Sequence, residues 1–132
     1  MVKKIANAAA LLAAAGATPA TSAGPTLSPH VWSTKISRPT PLLNATWRLA
    51  FRNAAYNVTR NSGVVVAGTV RIVGGNKVTF HDLAGTFACR GATQINGTYT
   101  WRIQGAKLTF ARVSDACPGR RGVLSHAFTR IA

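Results

Sequence analysis

The segment Asn96–Arg121, NGTYTWRIQGAKLTFARVSDACPGRR, contains the two clearest strand patterns in the chain. Over 98–103 bulky apolar residues alternate with polar ones, and over 107–113 Leu108 and Phe110 continue the same two-residue period. Such alternation is typical of half-buried β-strands. The three residues 104–106 are few enough to close the two strands into a hairpin. The segment therefore predicts a β-hairpin followed by a rigid turn at Cys117-Pro118-Gly119.

Similar patterns extend in both directions from this hairpin. Further strands are predicted at 46–52, 56–60, 64–73, 77–81, 86–89 and 123–131, with turns rich in Asn, Asp and Gly between them. Gly68 predicts a bulge, a bend or a break within 64–73. These 7–8 short strands with frequent turns predict an all-β sandwich or barrel, and the short sequential hairpins favour an antiparallel up-and-down meander. Since 46–131 shows no helical period, helix is expected only in the signal peptide.

The N-terminus has the three-part layout of a secretory signal peptide. Lys3 and Lys4 precede an Ala-rich apolar run over 5–17, and small residues follow, with cleavage expected after Ala20 or Ala23. An amphipathic helix and a mitochondrial presequence are the alternatives. The predicted organisation is a signal peptide at 1–23, a Pro/Ser/Thr-rich lead-in at 24–44 and a β-barrel domain at 45–132. We expect a secreted protein, extracellular or periplasmic.

The two cysteines, Cys89 and Cys117, both lie in the predicted mature chain. In an oxidising compartment such a pair is expected to form one disulfide. Two free thiols or half of a metal site are the alternatives, although two cysteines without a neighbouring His cluster make a poor zinc site.

The charge balance is unusual. Sixteen Lys and Arg stand against two acids, Asp82 and Asp115, which gives a formal net charge of +14. Such a surface attracts polyanions, including anionic polymers and lipid headgroups. In the predicted mature chain the basic residues are scattered singly except for Arg120-Arg121, so solubility alone is an alternative explanation of the charge.

The pattern Gly97-x-Tyr99-x-Trp101, then Gly105-x-x-Leu108-Thr109-Phe110, then Val113-x-Asp115-x-Cys117-x-x-Arg120, resembles small secreted bacterial domains of the lipocalin-like, calycin type. The resemblance covers about 45–132. It implies that the meander of about 7–8 strands closes into a small lipocalin-like antiparallel barrel around a small apolar cavity, with a first-strand Trp packed beneath an Arg from near the last strand. Trp47 and Arg130 match those positions, although Ala45 stands where lipocalins have Gly.

Few residues are available for catalysis or metal binding. The chain has only two carboxylates, and both lie in predicted turns, so the residues needed for a catalytic carboxylate pair are almost lacking. Asp115 is expected to accept backbone N–H groups or to pair with Arg120 or Arg121. A zinc site built from His30, His81 and His126 would need residues from distant parts of the chain. We therefore expect no enzyme activity, no metal and no cofactor.

The alternating apolar residues are predicted to face the barrel interior. Among them Tyr99, Trp101, Phe80 and Phe110 are the candidates for lining a ligand pocket, since buried Tyr and Trp need a polar partner that a ligand can supply. Plain core packing is the alternative. Arg102 lies on the face opposite Trp101, which argues against a nucleic-acid stacking surface. The predicted inward set is Trp47, Leu49, Phe51, Tyr56, Val58, Val70, Ile72, Val78, Phe80, Tyr99, Trp101, Ile103, Leu108, Phe110, Leu124 and Phe128.

Together these features favour a secreted, non-enzymatic binding module for a small apolar or amphipathic ligand. The alternative function is a cationic surface protein that binds anionic envelope polymers or lipid headgroups through its scattered arginines. No specific binding of nucleic acid is expected.

Overall fold

The computed structural model describes residues 26–37 and 43–132, so the predicted signal peptide lies outside the described residues. Eight antiparallel strands follow one another in chain order and close into a barrel. This confirms the predicted all-β meander. The strands are β1 Val31–Ile36, β2 Ala45–Arg52, β3 Ala55–Arg60, β4 Gly63–Val73, β5 Lys77–Ala84, β6 Asn96–Gln104, β7 Lys107–Ser114 and β8 Phe128–Arg130.

The first strand lies inside the segment predicted to be a lead-in. β1 pairs with β2 on one side and with the short β8 on the other, and this double pairing closes the barrel. Trp32 and Ile36 are almost completely buried. The barrel therefore begins before residue 45. The sequence does not predict β1 because prolines flank it on both sides, and proline-rich segments are more typical of loops than of strands.

The hairpin predicted over 98–113 is formed by β6 and β7, with Trp101 opposite Phe110 and Ile103 opposite Leu108. Gly105 in its turn has a φ of 60°, a conformation that glycine adopts without steric cost. The register between β4 and β5 shifts between Ala67 and Gly68. The irregularity lies at the glycine for which the sequence predicted a bulge, a bend or a break, and β4 continues through it without a break.

The barrel interior is built largely from the predicted inward set. Leu49, Val78 and Leu108 are at most 1% exposed, as the two-residue period requires. Ile72 is an exception at 49% exposed, near the end of β4, while Ile103 and Phe110 pack against the core as partly buried residues.

One helix, α1, spans Pro118–Leu124, so the expectation of helix only in the signal peptide is wrong. The predicted strand 123–131 is reduced to β8. Arg120, Val123 and Leu124 are buried at helical spacing, which brings one face of this short helix against the barrel. Two turns of helix are too short to show a period in sequence, and Pro118 at the first helical position favours the start.

The segment between β5 and β6 contains no strand, so the short strand predicted at 86–89 is absent and 85–95 is a loop. The loop is held against α1 by the Cys89–Cys117 disulfide, which confirms the predicted pairing. Within the two described ranges, no helix is long and apolar enough to cross a membrane.

Candidate binding site

A cavity of about 410 Å³ lies at the end of the barrel where α1 and the 85–95 loop pack. We call it the α1 cavity. The strands β2 to β5 contribute a wall that is mostly aliphatic and aromatic, and α1 and the loop contribute the rest. Phe87 and Arg90 also line it and are exposed, so the cavity reaches the surface. The wall residues from the strands are Trp47, Leu49, Tyr56, Val58, Val66, Phe80 and Asp82.

Asp82 is the only carboxylate in this lining, and it is 4% exposed. Its Oδ1 accepts a hydrogen bond from the Tyr56 hydroxyl, and its Oδ2 accepts one from the Cys89 backbone N–H at 2.7 Å. Burial raises the pKa of Tyr56 far above its usual value, and the hydrogen bond to Asp82 raises it further. The carboxylate therefore fixes the strand wall to the loop.

A second tyrosine–carboxylate pair lies beside α1. The Tyr99 hydroxyl donates to Asp115 Oδ2 at 2.6 Å, and the Cys117 backbone N–H donates to Asp115 Oδ1 at 3.0 Å. Burial, followed by the hydrogen bond to Asp115, raises the pKa of Tyr99. Gly97 lies directly beneath the carboxylate, because a Cβ there would be only 2.6 Å from Asp115 Cγ.

Arg120 joins this carboxylate to the loop. Its Nε lies 3.3 Å from Asp115 Oδ2, and the two side chains are 7% and 0% exposed. Its other two guanidinium nitrogens donate to the backbone carbonyls of Gln94 and Ile95, the shortest at 2.7 Å. Asp115 thus accepts a backbone N–H and also pairs with a cation. The disulfide and Arg120 both connect the 85–95 loop to α1. We call these two segments the cap; they bound the cavity and are joined to each other at two points.

The chain has two carboxylate side chains, those of Asp82 and Asp115, and both accept hydrogen bonds inside the protein. In the described ranges, Arg120 is buried, Arg60 is half-buried and every other Lys and Arg is exposed. The outer surface of this part of the chain therefore carries cationic side chains without any carboxylate side chain to balance them.

The four predicted pocket residues do not meet in one pocket. Phe80 lines the α1 cavity, Tyr99 and Phe110 line a second cavity, and Trp101 lines a third at the opposite end of the barrel. Phe80, Tyr99 and Phe110 instead contact one another edge to face, with ring centroids 5.9–6.1 Å apart. The hydroxyl partner of Tyr99 is Asp115 rather than a ligand.

The expected contact between Trp47 and Arg130 is replaced by a different one. Arg60 lies over the Trp47 ring, 5.9 Å from its centroid, because β2 pairs with β3 and sets the two residues opposite each other. Arg130 lies opposite Trp32 in the pairing of β8 with β1. The additional strand before β2 accounts for the difference, since β1 rather than β2 is next to β8.

The three histidines lie apart in the chain and have separate surroundings. His30 Nδ1 is 3.3 Å from the Ala132 carbonyl, and His81 Nδ1 is 2.6 Å from Asn96 Oδ1. Over 26–37 and 43–132, no group of three or more His, Cys, Asp or Glu side chains is arranged to hold a metal ion.

The sequence did not identify the polar residues around the α1 cavity, apart from the expected pairing of Asp115. Tyr56 and Asp82 are 26 residues apart, and their contact depends on the barrel topology. The one local signal was the alternation that placed Tyr56 inside. An interior tyrosine needs a hydrogen-bond partner, and a chain with two acids offers few.

No protein-family model matches this chain, and comparisons with curated proteins and with solved structures likewise give no match. The closed eight-stranded antiparallel barrel is compatible with a lipocalin-like barrel. A barrel of this kind is compatible with a binding module.

Proposed function

We propose that this protein is a secreted, non-enzymatic binding module of the lipocalin-like type for a small apolar or amphipathic ligand. The observation that carries the proposal is the α1 cavity, whose volume of about 410 Å³ lies within the range of small-molecule sites. Its wall is mainly apolar, and Asp82 and Arg120 already have partners within the protein. An apolar body is the ligand that such a lining favours, because it leaves these polar groups undisturbed.

The absence of enzyme activity is part of the proposal. A general acid or base must reach the substrate with an available lone pair or proton. Asp82 and Asp115 are instead engaged by a tyrosine hydroxyl and a backbone N–H each. Secretion is supported by the layout of residues 1–23 and by the disulfide, since disulfides persist in oxidising compartments.

Binding is tested with the neutral fluorophore N-phenylnaphthylamine and the oxidised mature chain. Val66 is buried and lines the α1 cavity, whereas Val64 on the same strand is 61% exposed. Val66→Phe should fill part of the cavity and lower the affinity about ten-fold or more, while Val64→Phe should leave it unchanged. Equal affinity of both variants and the wild type would show that the probe does not use this cavity. Near-ultraviolet circular dichroism checks that Val66→Phe keeps the native packing.

A second candidate function is adhesion to anionic polymers or lipid headgroups. It is favoured by the internal position of both carboxylates, which leaves the exposed Lys and Arg unbalanced. Such binding is electrostatic and weakens as salt screens the charges. Vesicles containing phosphatidylglycerol should retain the protein at low salt and release it at high salt, whereas phosphatidylcholine vesicles should not retain it. Failure of the anionic vesicles to retain it at low salt would exclude the lipid form of this function.

A further inference from the structure

A second cavity, of about 510 Å³, lies between β6, β7 and the outer side of α1. Tyr99, Phe110 and Leu124 give it aromatic and aliphatic surfaces, and Arg112 and Arg121 give it two guanidinium groups. The lining contains no carboxylate side chain. Among the residues that the structure describes, it shares only Pro118 and Leu124 with the α1 cavity, so it is a site separate from that of the proposed function.

Arg112 reaches this cavity because of its register position. Leu108 and Phe110 face the barrel interior, and Arg112 is the next residue of the same alternation on β7. Across the strands it lies directly opposite Tyr99. Arg112 thus continues the interior-facing series near the end of β7 but is exposed there, whereas Leu108 and Phe110 earlier in the series pack in or against the core.

The nearby carboxylate does not neutralise these arginines. The Asp115 side chain is completely buried, accepts a hydrogen bond from the Tyr99 hydroxyl and forms an ion pair with Arg120. One buried carboxylate is therefore balanced by one buried guanidinium. Arg112 and Arg121, both exposed, add two positive charges to the lining with no anionic side chain beside them in it.

We propose that this second cavity binds a small organic anion, in which a sulfonate, carboxylate or phosphate group is carried on an aromatic or aliphatic body. Arg112 and Arg121 would bind the charged group, since guanidinium matches the geometry of such oxyanions. The partly buried Phe110 ring would contact the apolar body, and the buried Tyr99 ring, with its centroid 6.1 Å from that of Phe110, supports Phe110 from behind. The Tyr99 hydroxyl takes no part, because it is already bonded to Asp115.

The experiment uses two probes on the oxidised mature chain at constant ionic strength. Anilinonaphthalene sulfonate carries the negative charge, and N-phenylnaphthylamine is its neutral counterpart. Arg112→Gln and Arg121→Gln should each lower the affinity for the sulfonate about ten-fold, as loss of a charged hydrogen bond does. Arg112→Lys, which keeps the charge, should lose less. The affinity for the neutral probe should stay within about two-fold of the wild-type value, because this probe has no anionic group that could accept a charged hydrogen bond from an arginine.

Arg102→Gln is the matched control, because Arg102 is exposed on β6 opposite Thr109 and lines none of the three cavities. If this variant loses as much sulfonate affinity as Arg112→Gln, the effect is general surface charge and the proposal is overturned. Unchanged affinity in Arg112→Gln and Arg121→Gln would overturn it as well. The neutral probe with Val66→Phe reports separately on the α1 cavity, so failure of either proposal is recognised by itself.

Competition distinguishes an organic anion from a free inorganic one. Benzenesulfonate should displace the fluorescent sulfonate at a lower concentration than inorganic phosphate does. If phosphate displaces the probe at the same concentration as benzenesulfonate, the cavity binds anions by charge alone, and the assignment of an apolar body to the ligand is overturned.

Discussion

The Tyr99 hydroxyl donates a hydrogen bond to Asp115 Oδ2 at 2.6 Å, and Arg120 Nε lies 3.3 Å from the same oxygen. Tyr56 and Asp82 form the equivalent pair on the other side of the cap. The chain has two tyrosines and two acidic residues, so every tyrosine is matched with a carboxylate in the interior. This pairing keeps both carboxylates in the interior, so the exposed Lys and Arg of the described residues have no acidic side chain among them.

Alkaline titration should detect both pairs. Burial and the carboxylate bonds raise the pKa of Tyr56 and Tyr99, so neither should ionise while the protein remains folded. In the unfolded chain their pKa is about 10. Above about pH 10 the unfolded state binds fewer protons than the folded state, so stability should fall by about 1.4 kcal/mol per pH unit for each tyrosine.

This is measured by tyrosinate absorbance against pH, with the protein in concentrated guanidinium chloride as the reference. The native protein should show no tyrosinate step until its near-ultraviolet circular dichroism is lost. A step near pH 10 in a protein that is still folded would mean that the hydroxyls are accessible and unpaired.

Gly97→Ala should disturb the Asp115 pair from beneath. A Cβ at this position would lie 2.6 Å from Asp115 Cγ and Oδ2, so the carboxylate would have to move from Tyr99 and Arg120. We expect a loss of about 1–3 kcal/mol in the free energy of unfolding, the usual cost of a buried polar group losing its partner. Gly63→Ala is the control, because nothing lies within 4 Å of its added Cβ. Equal urea midpoints for both variants would contradict the close packing.

Arg120→Met should be strongly destabilising. The substitution leaves a fully buried Asp115 without its cation and removes the bonds to the Gln94 and Ile95 carbonyls. Removing one partner of a buried ion pair costs about 3–5 kcal/mol. Arg121→Met, at the neighbouring exposed position, should change stability by less than about 0.5 kcal/mol.

Urea unfolding compares the two variants with the wild type. The double variant Arg120→Met with Asp115→Asn should lose less free energy of unfolding than the two single variants lose in total. Each single substitution leaves the other side chain without its partner, whereas the double variant removes both charges. Strict additivity would show that the two side chains do not depend on each other.

The hairpin of β6 and β7 and the bulge at Gly68 were predictable because their causes are local. Alternation, a turn glycine and an interior glycine all act within a few residues. Strand β1 and helix α1 were missed for the opposite reason. Trp32 and Ile36 form a strand because β2 and β8 lie on either side, and α1 is too short for a period to appear.

The candidate site was less predictable than the barrel. The disulfide could be predicted because each cysteine has only one possible partner in the chain, whereas the contact between Tyr56 and Asp82 depends on the order of the strands. Sequence alternation correctly placed Phe80 and Tyr99 inside but could not separate core packing from cavity lining. That distinction depends on where α1 lies, and α1 was not foreseen.

Removal of the disulfide by Cys89→Ser with Cys117→Ser should weaken the fold without abolishing it. The bond closes a loop with a sequence separation of 28, for which the chain-entropy model gives about 3–4 kcal/mol. Arg120 still fixes α1 to the Gln94 and Ile95 carbonyls, so the cap keeps a second connection. Reductant should lower the urea midpoint of the wild type to that of the double variant and leave the latter unchanged. An unaltered wild-type midpoint would show that Arg120 and packing alone hold the cap.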